Sequence, residues 1–572
     1  MTTTPPSSES LPTTGTRTDP ATPTLAAPPE GPPAGAPGAP GATAGPPLVD
    51  LGGRSPWSIL PALCLGFFMI MVDTTIVNIA VPTLVDTFDT TLTAVGWVNS
   101  AYLLTYAVLL LLAGRLGDRF GPKPVFVLGL VVFTLSSLWC GLSGSVEMLI
   151  VARAVQGVGA ALMTPQTMSM ITRVFPPRQR GAAMGLWGAV AGVATIAGPL
   201  LGGVFVESWG WEWIFFVNIP VGVVALVLAL RSLPSLPTNK RSFDMVGVAL
   251  SIVGLFLFVF GLQEGETYHW GSVVGPLTIW SIIGLGVLVL AAFVLWQRHL
   301  GDRALLPLTL FHSRNFSLAN VSGMAVSFGM IGIFFPLTIF LQSILGLSPL
   351  EAALINLPGS LVSGVVAPFA GRLSDRIPAK WVVATGFALL AASVAWLSVA
   401  ITPDASTLSI VAPMTLFGIG TGAVFSPLAN LATSGLDHRT AGAGAGAFNT
   451  FRQVGGVIGS AAIVATLTSR LSATLPAAAR DAAAGLPPEL RQPFVDGFAS
   501  AGGSYTGAAQ SFDLPAGIPP EAAAQIREAA TTALHQGFSV AVGQTLLVTS
   551  AVLVIGLVAA LAMRGTHVAH AD

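Results

Sequence analysis

Two charged residues of this chain lie inside long apolar stretches. Asp73 follows "LGFFMIMV" and precedes "TTIVNIAVP", and Arg153 lies within a second apolar run. Burial disfavours the charged form of a carboxyl group, so Asp73 could take up and release a proton near neutral pH. The alternatives are an Asp73 that stays ionised beside a cation, and a sodium site. A single carboxylate does not supply the oxygen ligands of a calcium site.

The two charged side chains have similar predicted depths. At 1.5 Å per residue, Asp73 lies about eleven residues and Arg153 about eight residues below the outer ends of their helices, which places them within about 5 Å in depth. They could form an ion pair that protonation of Asp73 weakens. Arg153 could instead donate to backbone carbonyls and brace the packing. Arg452, in "FNTFRQVGG", is also buried, and for it a cavity-lining role and a bracing role remain open.

A third candidate is the stretch "GRLGDRFGPK" at 114–123, because only 9% of the chain is charged and four charges fall here. Its glycines and charged residues are Gly114, Arg115, Gly117, Asp118, Arg119, Gly121 and Lys123. The glycines predict a tight turn and close backbone approach, the aspartate predicts a helix cap, and the cations predict a cytoplasmic position. A second copy, "GRLSDRIPAK", follows 257 residues later. The substitutions in its second half predict a weaker version of the same element.

The elements that position these residues must be membrane helices. The chain has 53% apolar residues, a mean hydropathy of +0.76 and fourteen apolar runs of about 20 residues. Lipid offers no hydrogen-bond partners to the backbone, so the runs are predicted to be helices of an all-α polytopic membrane protein. Lys and Arg concentrate in the even-numbered connections. The positive-inside rule therefore places those connections and both termini in the cytoplasm.

The repeat predicts the domain organisation. Six helices need roughly 180–200 residues, so an offset of 257 leaves room for two more helices between two related six-helix bundles. The predicted segments are a disordered Pro/Thr/Ala-rich tail at 1–55, a bundle at 56–231, two linker helices at 232–313, a second bundle at 314–564 with a long external loop at 469–537, and a tail at 565–572. Within the loop, "PPEAAAQIREAATTALHQGF" predicts a short external helix before the last span.

Several function classes are excluded by what the sequence lacks. Cys64 and Cys140 both lie in apolar runs and have no metal-ligand spacing, so they are predicted to be core residues. A net charge of −1 without basic clusters argues against a nucleic-acid partner. The sequence contains no phosphate loop, nucleophile elbow or metal-ligand cluster, so no motif indicates an enzyme or an ATP-driven pump. We therefore expect no cofactor, no metal and no catalytic residue.

Five stretches carry a family resemblance: "VDTTIVNIAVP" (72–82), "GRLGDRFGPK", "RAVQGVGAA" (153–161), "AGPLLGG" (197–203) and "WGWEWIFFVNIPVG" (209–222). Together they resemble the major facilitator superfamily, and within it the fourteen-helix drug:proton antiporters. The resemblance implies two six-helix bundles plus two extra helices, and a conformational latch at 114–123 that includes Asp118. It also implies a helix-five antiporter motif at Gly198, Pro199, Gly202 and Gly203, and cavity positions at Asn78 and Arg452.

The expected function is proton-coupled export of amphipathic, cationic or neutral small organic compounds across a bacterial plasma membrane. The partners would be the small-molecule substrate, protons and membrane lipid, and the protein would act as a monomer. One charge moving through 100 mV supplies about 2.3 kcal/mol, enough for roughly a 40-fold gradient of a neutral compound. Two alternatives remain open: an exporter dedicated to one endogenous product, and a non-transporting membrane sensor or scaffold.

Overall fold

The computed structural model describes residues 54–565 with gaps at 91, 239–243, 266, 302–303, 434–435, 437–439 and 501–519. Residues 1–53 of the predicted N-terminal tail and 566–572 of the predicted C-terminal tail lie outside the described residues.

The described residues form α-helices apart from a small hairpin and short turns. In chain order the helices are α1 Leu60–Phe88, α2 Leu92–Phe120, α3 Pro122–Gly141, α4 Val146–Val174, α5 Pro177–Ser208, α6 Trp213–Phe216, α7 Asn218–Ser232, α8 Met245–Gln263, α9 Ile279–Leu300, α10 Arg314–Ile339, α11 Pro349–Ser374, α12 Ala379–Ala400, α13 Thr407–Thr433, α14 Ala441–Ala482, α15 Pro488–Ser500 and α16 Pro520–Ala562. Strands β1 (Ser272–Val274) and β2 (Leu277–Thr278) pair antiparallel between α8 and α9.

The helices account for the predicted membrane spans. Among the described residues, thirteen helical segments are long and apolar enough to cross a bilayer, with α6 and α7 forming one segment. Helix α5 has 32 residues, about 48 Å at 1.5 Å per residue, which is also long enough to cross a bilayer. The predicted fold class, an all-α polytopic membrane protein, is confirmed.

The helices pack in two groups, called here the first and the second bundle. In the first bundle α1 packs on α5 and α7, and α4 packs on α2 and α3; in the second, α13 packs on α11 and α12, and α14 packs on α10 and α16. Between the bundles α5 packs most closely on α11 and α2 on α14, and α5 also contacts α13 while α4 contacts α14 and α13. The extra pair α8 and α9 lies beside α2 and α14 through α8.

Two local predictions were wrong in their extent. The stretch 114–123 is mostly helical, because α2 continues to Phe120 and α3 begins at Pro122. A single glycine, Gly121 with φ of 92°, reverses the chain. The predicted external loop at 469–537 also contains much helix: α14 extends to Ala482, and the predicted short helix is the continuous start of α16. Apolar burial stabilises these extensions, since Leu475, Phe538 and Phe498 of α15 are all buried members of one hydrophobic cluster.

Candidate functional site

Asp73 of α1 and Arg153 of α4 meet inside the first bundle, and both side chains are fully buried. Arg153 Nη1 donates to Asp73 Oδ2 at 2.5 Å. Arg153 Nε donates to the Val98 carbonyl at 3.2 Å, and the guanidinium lies 4.2 Å from the ring centre of Tyr102. The ion pair and the bracing contact, which the sequence left as alternatives, therefore occur together. The pair joins α1 and α4, with α2 supplying the carbonyl and the ring.

Neutral polar groups complete the surroundings of the Asp73 carboxylate. Gln156 Nε2 donates to Oδ1 at 2.9 Å, and Asn218 Nδ2 donates to the same oxygen at 3.2 Å. Gln156 Oε1 in turn accepts from Arg153 Nη1 at 2.7 Å. Ser137 Oγ accepts from Asn218 Nδ2 at 3.0 Å. Helices α1, α3, α4 and α7 thus meet at one carboxylate, so a change in its charge acts on four helices at once.

Sequence reasoning did not single out Gln156 and Asn218, although both lie within the quoted stretches. A signal for Gln156 was available, since a residue three positions after Arg153 lies on the same helix face. Asn218 had a weaker signal, as a lone amide inside an apolar run. A buried amide needs a partner, and the carboxylate is the partner for both.

Asp118, near the end of α2, contacts the start of α14 in the second bundle. Its Oδ1 and Oδ2 accept from the backbone amides of Gly442 and Ala443, both at 2.9 Å. A carboxylate at a helix N-terminus satisfies free amides and favours the positive end of the helix dipole. A Cβ on Gly114 would overlap the Gly442 carbonyl, so this glycine permits the close approach of the two helices.

The other residues of the stretch hold its surroundings together. A Cβ on Gly117 would overlap the Gln166 side chain of α4, so this glycine serves helix contact and not a turn. Lys123 Nζ donates to the Leu230 carbonyl at 3.1 Å. The Arg119 guanidinium lies 5.5 Å from the ring centre of Phe120. These contacts stabilise the end of α2 on which Asp118 is carried.

The second copy makes the equivalent contact between the bundles. Asp375, at the end of α11, accepts from the amides of Gly181 at 3.0 Å and Ala182 at 3.3 Å, the fifth and sixth residues of α5. Burial raises the pKa of Asp375 to about 6, although the two amide hydrogen bonds act to lower it. Above that pH the carboxyl is ionised and acts as an acceptor toward both amides. Asp375 is half-buried, whereas Asp118 is only 3% exposed.

The helix-five motif faces the helix that carries Asp73. A Cβ on Gly198 would overlap Thr75 Oγ1, and one on Gly202 would lie 3.1 Å from Ile76 Cγ1. A Cβ on Gly203 would have no other heavy atom within 4 Å. The side chain of Pro199 is not among those that the structure describes. Two glycines of the motif therefore set the distance between α5 and α1 beside the ion pair.

The contrast between Gly198 and Gly203 leads to a prediction in which Gly203 serves as the control. Gly198→Ala should lower the thermal unfolding midpoint and the transport rate severalfold, because the added methyl group displaces Thr75 and with it the turn that carries Asp73. Gly203→Ala should leave both quantities near the wild-type values. The measurement is thermal unfolding of the purified protein followed by transport in liposomes. Equal effects of the two substitutions would contradict the assigned contact.

Arg452 of α14 lies at the boundary between the bundles. Its Nη2 donates to Asn449 Oδ1 at 3.3 Å, and its guanidinium lies 5.3 Å from the ring centre of Phe425. It lines a small cavity of about 10 Å³, and Phe425 also lines a larger one of about 50 Å³ between α5, α10, α11 and α13. The side chain of Asn78, the other predicted cavity residue, lies outside the description.

A sequence model of the Major Facilitator Superfamily matches residues 63–460. The chain belongs to the major facilitator superfamily. It is a multi-span transporter of small molecules and not an enzyme, and with its bacterial relatives it is assigned to the plasma membrane.

Two relatives and one solved structure show the extent of the likeness. An uncharacterized MFS-type transporter, Rv1250 of Mycobacterium tuberculosis, is 46% identical over 77% of this chain and 77% of its own. The tetracenomycin C resistance and export protein of Streptomyces glaucescens is 34% identical over 75% of this chain and 79% of its own. The human organic anion transporter MFSD10 (TETRAN) superposes with a TM-score of 0.54 over 87% of this chain and 100% of its own, at 13% identity, which shows the shared fold alone.

Proposed function

We propose that this protein is a proton-coupled antiporter that exports amphipathic small organic compounds. The observation that carries the proposal is the buried pair of Asp73 and Arg153, with Gln156 and Asn218 on the same carboxylate. A buried ion pair costs desolvation energy, and apolar packing of similar volume is often as stable. Membrane carboxylates that are kept at this cost are, as a rule, functional.

Protonation of Asp73 would act through the pair. The neutral acid no longer balances the Arg153 charge, which leaves the guanidinium with Gln156 Oε1 and the Val98 carbonyl. An unbalanced buried cation is unfavourable, so the protonated protein favours a different arrangement of α1 and α4. Proton binding would in this way be linked to a change in helix packing, which is the requirement for coupling.

The contacts between the bundles support an assignment of the conformational state. Asp118 and Asp375 join the bundles at the end where the Arg- and Lys-rich connections lie. The positive-inside rule places that end in the cytoplasm. With both latches formed, the protein is closed toward the cytoplasm. A proton that reaches Asp73 from outside would lead to the opening of both latches.

The chemistry of the cavity walls suits an amphipathic compound. The larger cavity, about 50 Å³, has walls of Phe, Met and Gly with single polar groups such as Asn356, Ser360 and Thr421. Apolar walls with few polar groups are typical of sites for drug-sized molecules. The relative that exports tetracenomycin C supports an antibiotic as cargo. Its name also supports the alternative of an exporter dedicated to a single compound.

Transport by purified wild-type protein in liposomes tests the proposal. Under an imposed pH gradient, substrate should accumulate against its own gradient, and a protonophore should abolish the accumulation. The substrate panel should contain unrelated amphipathic dyes and antibiotics. Accumulation of several classes supports a multidrug exporter, and accumulation of a single class supports the dedicated exporter. Accumulation that survives the protonophore would show that protons do not drive transport, and no accumulation of any compound would favour the sensor or scaffold.

A further inference from the structure

We propose that Arg452 and Trp187 form a site for an anionic group of the substrate, a carboxylate or phenolate attached to an apolar body. The proposal rests on the function proposed above and specifies its substrate class. It differs from the cationic or neutral compound that the sequence favours.

Arg452 is a buried cation without a buried anion. The side chain is 7% exposed, and among the residues that the structure describes no carboxylate pairs with it. Its contacts are neutral: Asn449, the Tyr106 hydroxyl and the Phe425 ring. Its Nε is buried and has no partner. A buried charge is costly unless it is paired, so an anion that reaches Arg452 gains a favourable ion pair.

A second unpartnered donor lines the same cavity. Trp187 of α5 is 1% exposed, and its Nε1 is buried without a hydrogen-bond partner. Both guanidinium and indole groups donate hydrogen bonds and accept none. Both free N–H groups can be satisfied only by an acceptor. Since one donor is charged, an anionic acceptor is favoured over a neutral one.

The rest of the cavity selects the body of the ligand. Its other walls are Val326, Phe425, Leu428, Ala429 and Phe448, which are apolar. The cavity is small, about 10 Å³, and takes a group of the size of one carboxylate or phenolate oxygen. Among the lining residues Phe425 alone is shared with the larger cavity of about 50 Å³, so an aromatic or alicyclic acid can place its charged group at Arg452 and extend the apolar remainder past Phe425.

The anion site is also connected to the proton site. Arg153 lies over the Tyr102 ring, and Tyr102 stacks on Tyr106 with 6.0 Å between ring centres. Tyr106 in turn contacts Arg452 and hydrogen-bonds to Thr164 Oγ1 at 3.1 Å. Both tyrosines lie on α2, which also carries the Asp118 latch. A shift of Arg153 on protonation of Asp73 would reach the anion site through these two rings.

Equilibrium binding to the purified full-length protein in lipid nanodiscs tests the proposal without a proton gradient. The probes are radiolabelled naphthalene-1-acetate and naphthalene-1-acetamide, which have the same shape and differ in charge. We expect wild type to bind the acetate at least about tenfold more tightly. Arg452→Gln should remove this preference, and Trp187→Phe should weaken acetate binding about threefold. Arg470→Gln, an exposed arginine of the same helix, is the matched control and should have no effect.

The outcomes separate this proposal from the proposed antiport. Asp73→Asn should keep the preference for the acetate even if it loses transport. Equal binding of the two probes by wild type, binding of neither, or an unchanged preference in Arg452→Gln would overturn the anion site. Should Arg452→Gln fail to fold, Arg452→Lys serves instead, because it keeps the charge and loses the planar fork. The preference should then fall severalfold, and a preference equal to that of wild type would count against the site.

Discussion

Asp73→Asn should abolish accumulation of substrate against its gradient. The amide is nearly isosteric with the carboxyl group but does not release a proton. A gradient of two pH units is worth about 2.7 kcal/mol per proton, so wild type exchanging one proton should concentrate a neutral substrate about 100-fold. The variant should reach a ratio near one. The measurement is the steady-state accumulation ratio in proteoliposomes at a fixed pH gradient.

Loss of folding would mimic this result and needs its own control. Asp73→Asn leaves the buried Arg153 without a counter-charge, which is expected to destabilise the protein by about 3–5 kcal/mol. Asp73→Asn combined with Arg153→Met removes both charges and should recover much of the stability, but not the coupling. Asp86→Asn, an exposed carboxylate at the end of the same helix, should behave as wild type. A ratio near 100 in Asp73→Asn would place the coupling group elsewhere.

The depth of the ion pair was predictable and its surroundings were not. Helix rise is nearly constant, so counting residues from the helix ends placed Asp73 and Arg153 at one level. Which helix faces which is a matter of packing, and the contributions of α3 and α7 through Ser137 and Asn218 depend on it. Neutral polar residues are also frequent in membrane helices, so Gln156 did not stand out.

The latch was likewise predictable in part: the sequence identified its carboxylates but not their partners. Its repeat in the sequence identified Asp118 and Asp375 as equivalent positions, 257 residues apart. Their partners, in the first turn of α14 and the second turn of α5, lie near ordinary helix starts in the opposite bundle, and no local pattern points to them. The glycines were expected to allow both a tight turn and close backbone approach; Gly121 makes the turn, and Gly114 and Gly117 permit close helix packing.

Removing both latch carboxylates should open the predicted cytoplasmic side. Each aspartate accepts two amide hydrogen bonds across the bundle boundary, and we expect about 1.4 kcal/mol, or tenfold, from each latch. The effect of Asp118→Ala should exceed that of Asp375→Ala, because its hydrogen bonds are shorter and its carboxyl is more deeply buried. The two sites lie on different helix pairs, so their effects should add to about 100-fold in the double variant.

A cysteine at position 433 reports the opening. Thr433 of α13 is 2% exposed and accepts from Thr172 of α4 at 3.3 Å, so it lies on the closed boundary between the bundles. In a background with Cys64 and Cys140 replaced by Ala, Thr433→Cys should react slowly with a membrane-impermeant maleimide in inverted vesicles. The double latch variant should react about 100-fold faster, and Asp86→Ala should not change the rate. Because labelling depends on access and not on substrate, an unchanged rate in the double variant would show that other contacts keep this side closed.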